Sequence, residues 1–234
     1  IIDNVWNNRP SKPSEIVRVH PIEFAGVSCA DKLSQIREKM INAGAGVLVS
    51  GALDEIAWLF NIRGSDVPCN PVTISYAVVT TNDAYLFIDD NKLSVQVKKH
   101  LMDSNVQILP YDSTFETVSS LSKGDSLKVW LDEKTINYAL FTMTERSDDD
   151  IIKTESPIVL MKSCKNEQEL NGLRNCHVRY GDIYRLPLID VNFNIIVVHQ
   201  VLRYSQDPAA VIAEASRVLQ PNGLVFVVDF APHS

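Results

Sequence analysis

Much that would point to a site is scarce in this chain of 234 residues. No apolar run approaches the roughly 20 residues that span a bilayer. The polar start, IIDNVWNNRPSKPSE, is interrupted by prolines and has no signal-peptide core. Membrane association is therefore not expected. Positive charge is also short: 22 Lys and Arg against 29 Asp and Glu leave a net charge of −7. With no basic run or face, neither nucleic acid nor an anionic membrane surface is an expected partner. Cysteine is thinly spread. Cys29, Cys69, Cys164 and Cys176 form no C-x-x-C pair, so no zinc site is expected. They read as buried free thiols of a cytoplasmic protein. The first residue is not methionine, as in a fragment or a processed product. Repeats and low-complexity tracts are absent.

What is present is the composition of a globular protein, 45% hydrophobic and 22% charged, with length for one large or two modest domains. Pro10, Pro13 and Pro21 keep residues 1–28 extended. DKLSQIREKMINAG places Leu33, Ile36, Met40 and Ile41 on one helical face, with Gly44 as the stop. GVLVSG (46–51) reads as a buried strand and ALDEIAWLFNI (52–62) as a helix with Ile56, Leu59 and Phe60 inward. RGSDVPCNP is a loop, and SYAVVTT and AYLFID form a hairpin around Asn82-Asp83. A helix near 92–102, a strand near 106–110, a helix near 113–122, a strand at 127–132 and the helix INYALFTMTE follow. SPIVLMKSC reads as extended, and NEQELNGLRNCHV opens a new helix. Further on, FNIIVVHQV is a continuous apolar run, as in a strand buried on both faces. SQDPAAVIAEASRVLQPNG is a helix capped by Asp207, with Pro208 in its first turn, an apolar stripe of Val211, Ile212, Ala215, Val218 and Leu219, and a stop at Pro221-Asn222-Gly223. With LVFVVDF it makes a parallel crossover unit.

DNVWNNRPSKPSE, ALDEIAWLFNIRGSDVPCNPV, SYAVVT and AYLFID together resemble cytosolic Xaa-Pro aminopeptidase (aminopeptidase P), over residues 1–178. The resemblance implies a creatinase N-terminal-like fold, a mixed sheet with helices on its faces. That family cleaves the bond before proline with two metal ions, usually manganese. Its ligands, two Asp, one His and two Glu, lie in the following pita-bread domain, as does its proton-shuttling His. No segment of this chain supplies them, so no catalytic or metal residue is carried over. The loop WLFNIRGSDV does carry over, and Trp58, Arg63 and Asp66 are expected to shape a substrate entrance. A structural role would instead make Trp58 core and pair Arg63 with Asp66. The family is commonly dimeric, which implies a homodimer through this domain.

GDIYRLPLIDVNFNIIVVHQVLRYSQDPAAVIAEASRVLQPNGLVFVVDFAPH resembles the later half of a class I S-adenosylmethionine-dependent methyltransferase, of the small-molecule, ArsR-associated kind. The resemblance implies that Asp182 stands where an adenine contact would be, and that His199 and Gln200 follow the fourth strand. The strand, glycine-rich turn and helix that would cradle the cofactor are missing. NAGAGVLVSG runs helix to strand, the reverse order.

The expected fold is α/β: a creatinase/aminopeptidase P N-terminal-like mixed-sheet domain followed by a partial Rossmann-like βαβ unit. Residues 1–28 are a linker and extended segment, 29–163 the first domain, 164–179 the truncated first helix of a pita-bread domain, and 180–234 the methyltransferase-like part. The break falls near Val178 to Tyr180. The expected function is that of a non-catalytic aminopeptidase fragment joined to a methyltransferase remnant, with no cofactor of its own. A methyltransferase-related protein and a dimerisation or binding module are the alternatives.

Overall fold

The computed structural model describes residues 10–122, 128–144, 150–174, 181–190 and 192–229. The proposed break near Val178–Tyr180, and Cys176 and His177 beside it, lie outside them. The chain divides into two compact units, Ile1–Asn175 and Cys176–Ser234.

In the first unit, β1 (Arg18–Val19) and β3 (Ile62–Arg63) form a short antiparallel ribbon. The main sheet has six strands in the order β6-β5-β4-β2-β7-β8. These are β2 (Ala45–Ser50), β4 (Tyr76–Thr80), β5 (Ala84–Ile88), β6 (Val106–Pro110), β7 (Lys128–Leu131) and β8 (Ile151–Ile152). Only β4 runs against its neighbours: it is antiparallel to β2 and β5, while β5 and β6, β2 and β7, and β7 and β8 are parallel. The hairpin around Asn82-Asp83 thus inserts one reversed strand into a sheet otherwise built by helical crossovers.

The helices are α1 (Ile22–Ala25), α2 (Cys29–Ala43), α3 (Leu53–Leu59), α4 (Val95–Asp103), α5 (Thr114–Leu121), α6 (Tyr138–Thr144), α7 (Pro157–Ser163) and α8 (Glu167–Arg174). Period-2 alternation sends Leu48 of β2 to one face of the sheet and Val47 and Val49 to the other. The first face packs Leu33, Ile36 and Met40 of α2, Ile56 and Leu59 of α3 and Leu101 of α4. The second packs Val118 of α5 and Leu140 of α6. Both faces of the sheet are covered, which is why β2 is buried along its whole length.

In the second unit, β9 (Phe193–His199) and β10 (Leu219–Val228) are parallel and joined through α9 (Pro208–Val218). Asp207 caps α9 by accepting from the Ala210 N–H, with Pro208 in the first turn.

Several expectations change. SPIVLMKSC is a helix: the Ser156 hydroxyl accepts from the Ile158 N–H and Pro157 fits the first helical position. Ser-Pro here works as Asp-Pro does at α9. Residues 1–28 are not wholly extended, because the short helix α1 falls within them, although β1 is extended as expected. Ile41 is 65% exposed, since the covered stripe of α2 runs through Cys29, Lys32, Leu33, Ile36 and Met40. Cys69 and Cys164 are exposed, and of the described cysteines only Cys29 is buried. The run FNIIVVHQV is not buried on both faces; in β9 only Val198 is buried. Pro221-Asn222-Gly223 does not stop α9, which ends at Val218. It lies instead in an irregularity of β10 between Leu219 and Leu224, with Asn222 in the left-handed region at φ 66°.

Candidate functional site

Helix α3 ends at Leu59, and Asn61 takes the left-handed conformation at φ 50° that asparagine tolerates. The chain can then turn sharply into β3. Asn61 has a second use: its side chain donates to the Val27 carbonyl and accepts from the Lys32 ammonium at 2.7 Å. Lys32 also donates to the Trp58 carbonyl at 2.8 Å and lies 4.0 Å above the Trp58 ring. This buried cation therefore has two oxygen acceptors and an aromatic face. Burial is the main influence on it and pulls its pKa down to about 8; Glu169 opposes the shift and Arg63 adds to it.

Trp58 is partly buried, and its indole N–H donates to Glu169 Oε1 at 3.3 Å. Glu169 belongs to a capping box that starts α8. Its Oε2 accepts from the Asn166 N–H, while Asn166 Oδ1 accepts from the Glu169 N–H. Asn166 also donates to the Ala25 carbonyl at the end of α1. Gly26, at φ 71°, leaves the room this needs, because a Cβ there would stand 2.3 Å from Asn166 Oδ1. Helix α8 is thus latched to the rest of the first unit at two points.

Arg63 is partly buried. Its Nη1 donates to the carbonyls of Ala57 and Ile62, both at 2.9 Å. It borders a cavity of about 300 Å³ with His20, Phe24, Glu169 and Leu173. Burial, with Arg63 and Lys32 nearby, lowers the pKa of His20.

Asp66 belongs to a separate cluster. Its Oδ2 accepts from Lys92 at 2.7 Å, the Thr73 hydroxyl at 2.8 Å and the Ile74 N–H at 2.6 Å. Both charged side chains are almost wholly buried, at 4% and 0% exposure. Burial raises the Asp66 pKa, but the Lys92, Ile74 and Thr73 hydrogen bonds outweigh it and leave the carboxyl below its ordinary value. Asp66 therefore pairs with Lys92, not with Arg63. The structure brings Trp58 and Arg63 together around Glu169 and leaves Asp66 elsewhere.

A second buried carboxyl stands at the carboxyl end of β2. Glu55 Oε2 accepts from the hydroxyls of Ser50 (3.0 Å) and Ser156 (2.8 Å), which ties the start of α7 to the sheet. Burial raises its pKa, and the two serine donors only partly offset this. The native state therefore holds the Glu55 proton more tightly than the unfolded chain. This disfavours folding increasingly as pH rises from 4.5 through the native value. Glu55→Gln is expected to raise the midpoint of denaturant unfolding at pH 7 relative to the parent, with the gain vanishing near pH 4. An equal gain at both pH values would contradict it.

In the second unit, Asp182 is exposed and its Oδ1 accepts from the Tyr184 N–H in a local turn. His199 is exposed at the end of β9, paired in register with Val228. The hub of this unit is Arg217. It donates to the carbonyls of Leu186 and Leu188 and to the carboxylates of Asp190 and Glu214, while Glu214 accepts from the Leu186 N–H. The Glu and Arg of EASRVL thus pin the 184–190 loop to α9.

Neither implied cofactor fits these residues. Among the described residues no group of three or more His, Cys, Asp or Glu is placed to hold a metal ion. The described glycines of the second unit, Gly181 and Gly223, offer no cofactor cradle: a Cβ would meet Pro187 at 2.6 Å and Leu219 at 2.7 Å, respectively. Neither glycine joins a strand to a following helix. Among the described residues, no helix is long and apolar enough to cross a membrane.

These features define a mixed-sheet α/β domain followed by a two-stranded parallel crossover unit. The model of the creatinase/prolidase N-terminal domain matches residues 8–169, and the chain belongs to that family. A methyltransferase domain model matches residues 156–234. The chain is 44% identical over 188 residues to a protein named probable Xaa-Pro aminopeptidase P from Leptosphaeria maculans, covering 77% of this chain and 31% of that protein. The protein of the same name from Aspergillus niger is 42% identical over 189 residues, covering 77% and 30%. The chain thus spans less than a third of the length of these curated relatives. Among solved structures, X-prolyl aminopeptidase from Caenorhabditis elegans, described as a cytosolic enzyme with a dinuclear active site, matches with a TM-score of 0.70 and 32% identity. That match covers 74% of this chain and 29% of that one.

Proposed function

We propose that the chain is a non-catalytic piece of a cytosolic Xaa-Pro aminopeptidase, joined to a methyltransferase remnant, and that alone it neither cleaves peptides nor transfers methyl groups. The observation carrying this reading is the chemistry of the donor set. The buried carboxyls Asp66 and Glu55 are each committed to structural hydrogen bonds, and no metal-binding group is assembled among the described residues. In this reading the Trp58–Arg63 edge, with Asp66 bracing the loop behind it, is the rim that the family's catalytic domain would use as a substrate entrance. The chain supplies that rim and the first turns of the connecting helix, α8. Asp182 and His199 stand as remnants, one closing a turn and the other capping a strand.

Two assays test the reading. The chain is incubated with manganese and an Xaa-Pro peptide, and its melting is followed with S-adenosylmethionine added. No cleavage and no shift are expected. A ligand at 100 times its dissociation constant would stabilise by about 2.7 kcal/mol, so binding of that strength would be plain. Manganese-dependent release of the first residue, or a saturable shift with S-adenosylmethionine, would sink it.

A further inference from the structure

The two faces of the β9–β10 sheet are unequal. One carries Ile196 and Val198 of β9 in register with Val225 and Val227 of β10; Val198 is buried, Ile196 and Val225 are half-buried, and only Val227, at 48%, is exposed. The other carries Ile195, Val197 and His199 of β9 in register with Leu224, Phe226 and Val228 of β10. Its five large apolar side chains are 57%, 60%, 56%, 50% and 49% exposed, in the order Ile195, Val197, Leu224, Phe226 and Val228. No Asp, Glu, Lys or Arg interrupts them. A layered α/β unit needs both faces of its sheet covered, and a two-stranded sheet is marginal by itself.

We infer that this bare face is a self-association surface, taking the same face of a second copy of the chain in a two-fold dimer. Area and charge favour this occupant. Five half-exposed side chains of this size leave a patch on the order of 500 Å², at the upper end of what monomers show. Paired with its own copy, the patch removes on the order of 1,000 Å², about the threshold for a specific interface. The chain carries a net charge of −7, so most of its surface repels a second copy. This face brings no charge into the contact and leaves none buried without a partner. Two such sheets pack face to face like the layers of a sandwich. A two-fold contact also closes at two copies and does not propagate.

Sedimentation velocity of the full chain tests this, with Val197→Asp/Phe226→Asp as the variant and Val95→Asp/Met102→Asp as the control. Val95 and Met102 are 85% and 69% exposed on α4. A reversible dimer is expected, weakened at least about a hundredfold by the first pair, whose positions are central to the patch, and unchanged by the second. Hydrogen exchange of the unmutated chain gives a readout free of folding defects: amides of 193–199 and 224–228 are expected to exchange more slowly as concentration rises. A monomer at on the order of 100 μM overturns the inference. So do a dimer that survives Val197→Asp/Phe226→Asp, as pairing through the first unit would give, and aggregates of no fixed size.

Discussion

Replacing Lys92 by methionine is expected to destabilise the first unit by about 3–5 kcal/mol, because it strands Asp66 as a buried charge. The geometry leaves little escape. Asp66 has a wholly buried side chain, and its Oδ1 has no hydrogen-bond partner among the described residues. Three donors converge on Oδ2, of which only Lys92 is charged. Without the ammonium, the Ile74 N–H and the Thr73 hydroxyl cannot balance the carboxylate. The double variant Asp66→Asn/Lys92→Met removes both charges and is expected to recover much of the loss, since the cost lies in the unpaired charge more than in the lost attraction. The pH dependence has a fixed sign. The native Asp66 carboxyl titrates below its ordinary value of 3.8, so the stability it adds is complete above that value. It is lost as pH falls from 3.8 through the native value. Denaturant unfolding of the parent and both variants at pH 7 and at pH 3 checks this. A Lys92→Met penalty that is small at pH 7, or that grows in acid, would refute the account.

Trp58→Ala is the other large change expected, about 3 kcal/mol, the low end of the range for truncating a large aromatic because Trp58 is only partly buried. Its indole is more than packing, because it lies beneath the Lys32 ammonium and donates to Glu169. Trp58→Phe separates these roles. It keeps a ring below Lys32 but loses the N–H and part of the indole's packing, so roughly 1–3 kcal/mol is expected. The loss should be local: amides 167–174 of α8 should exchange faster, while those of β2 and β4 stay protected. Hydrogen exchange with mass analysis of peptic fragments reads this directly. Equal acceleration across the whole first unit would mean that Trp58 does not hold α8.

The architecture of the first unit was legible because its signals are local. Apolar periodicity, the Gly44 stop and the Asn82-Asp83 turn locate α2, β2 and the hairpin, and the alternation of helices and strands implies a mixed sheet. The charged pairings were not legible. Asp66 meets Lys92 across 26 residues, and nothing near either residue favours that pair over Asp66 with Arg63. Lys32 could have been suspected, since it shares the covered stripe of α2 with Cys29, Leu33 and Ile36, where a lysine needs partners. Asn166-x-x-Glu169 is a capping-box pattern readable by eye, yet its reach to Trp58 and Ala25 is tertiary. In the second unit, apolar content alone suggested strands buried on both faces. Burial depends on neighbouring layers, and within its own unit the two-stranded sheet of β9 and β10 has a helix joined to it but no further strands among the described residues.

The Asn166–Ala25 contact also sets a sequence of events in time. It joins groups 141 residues apart, so it closes one of the longest loops in the first unit. A chain emerging from the ribosome can pair β4 with β5, then β5 with β6, as each is made. Helix α1, four residues long, has no such local support and must wait for Asn166 before its final carbonyl is bonded. The start of the domain is thus secured only when its end appears. A nascent chain halted before residue 166 lacks the donor that binds the Ala25 carbonyl, so this end of the domain can be latched only after the segment that leads into the second unit has begun to be made.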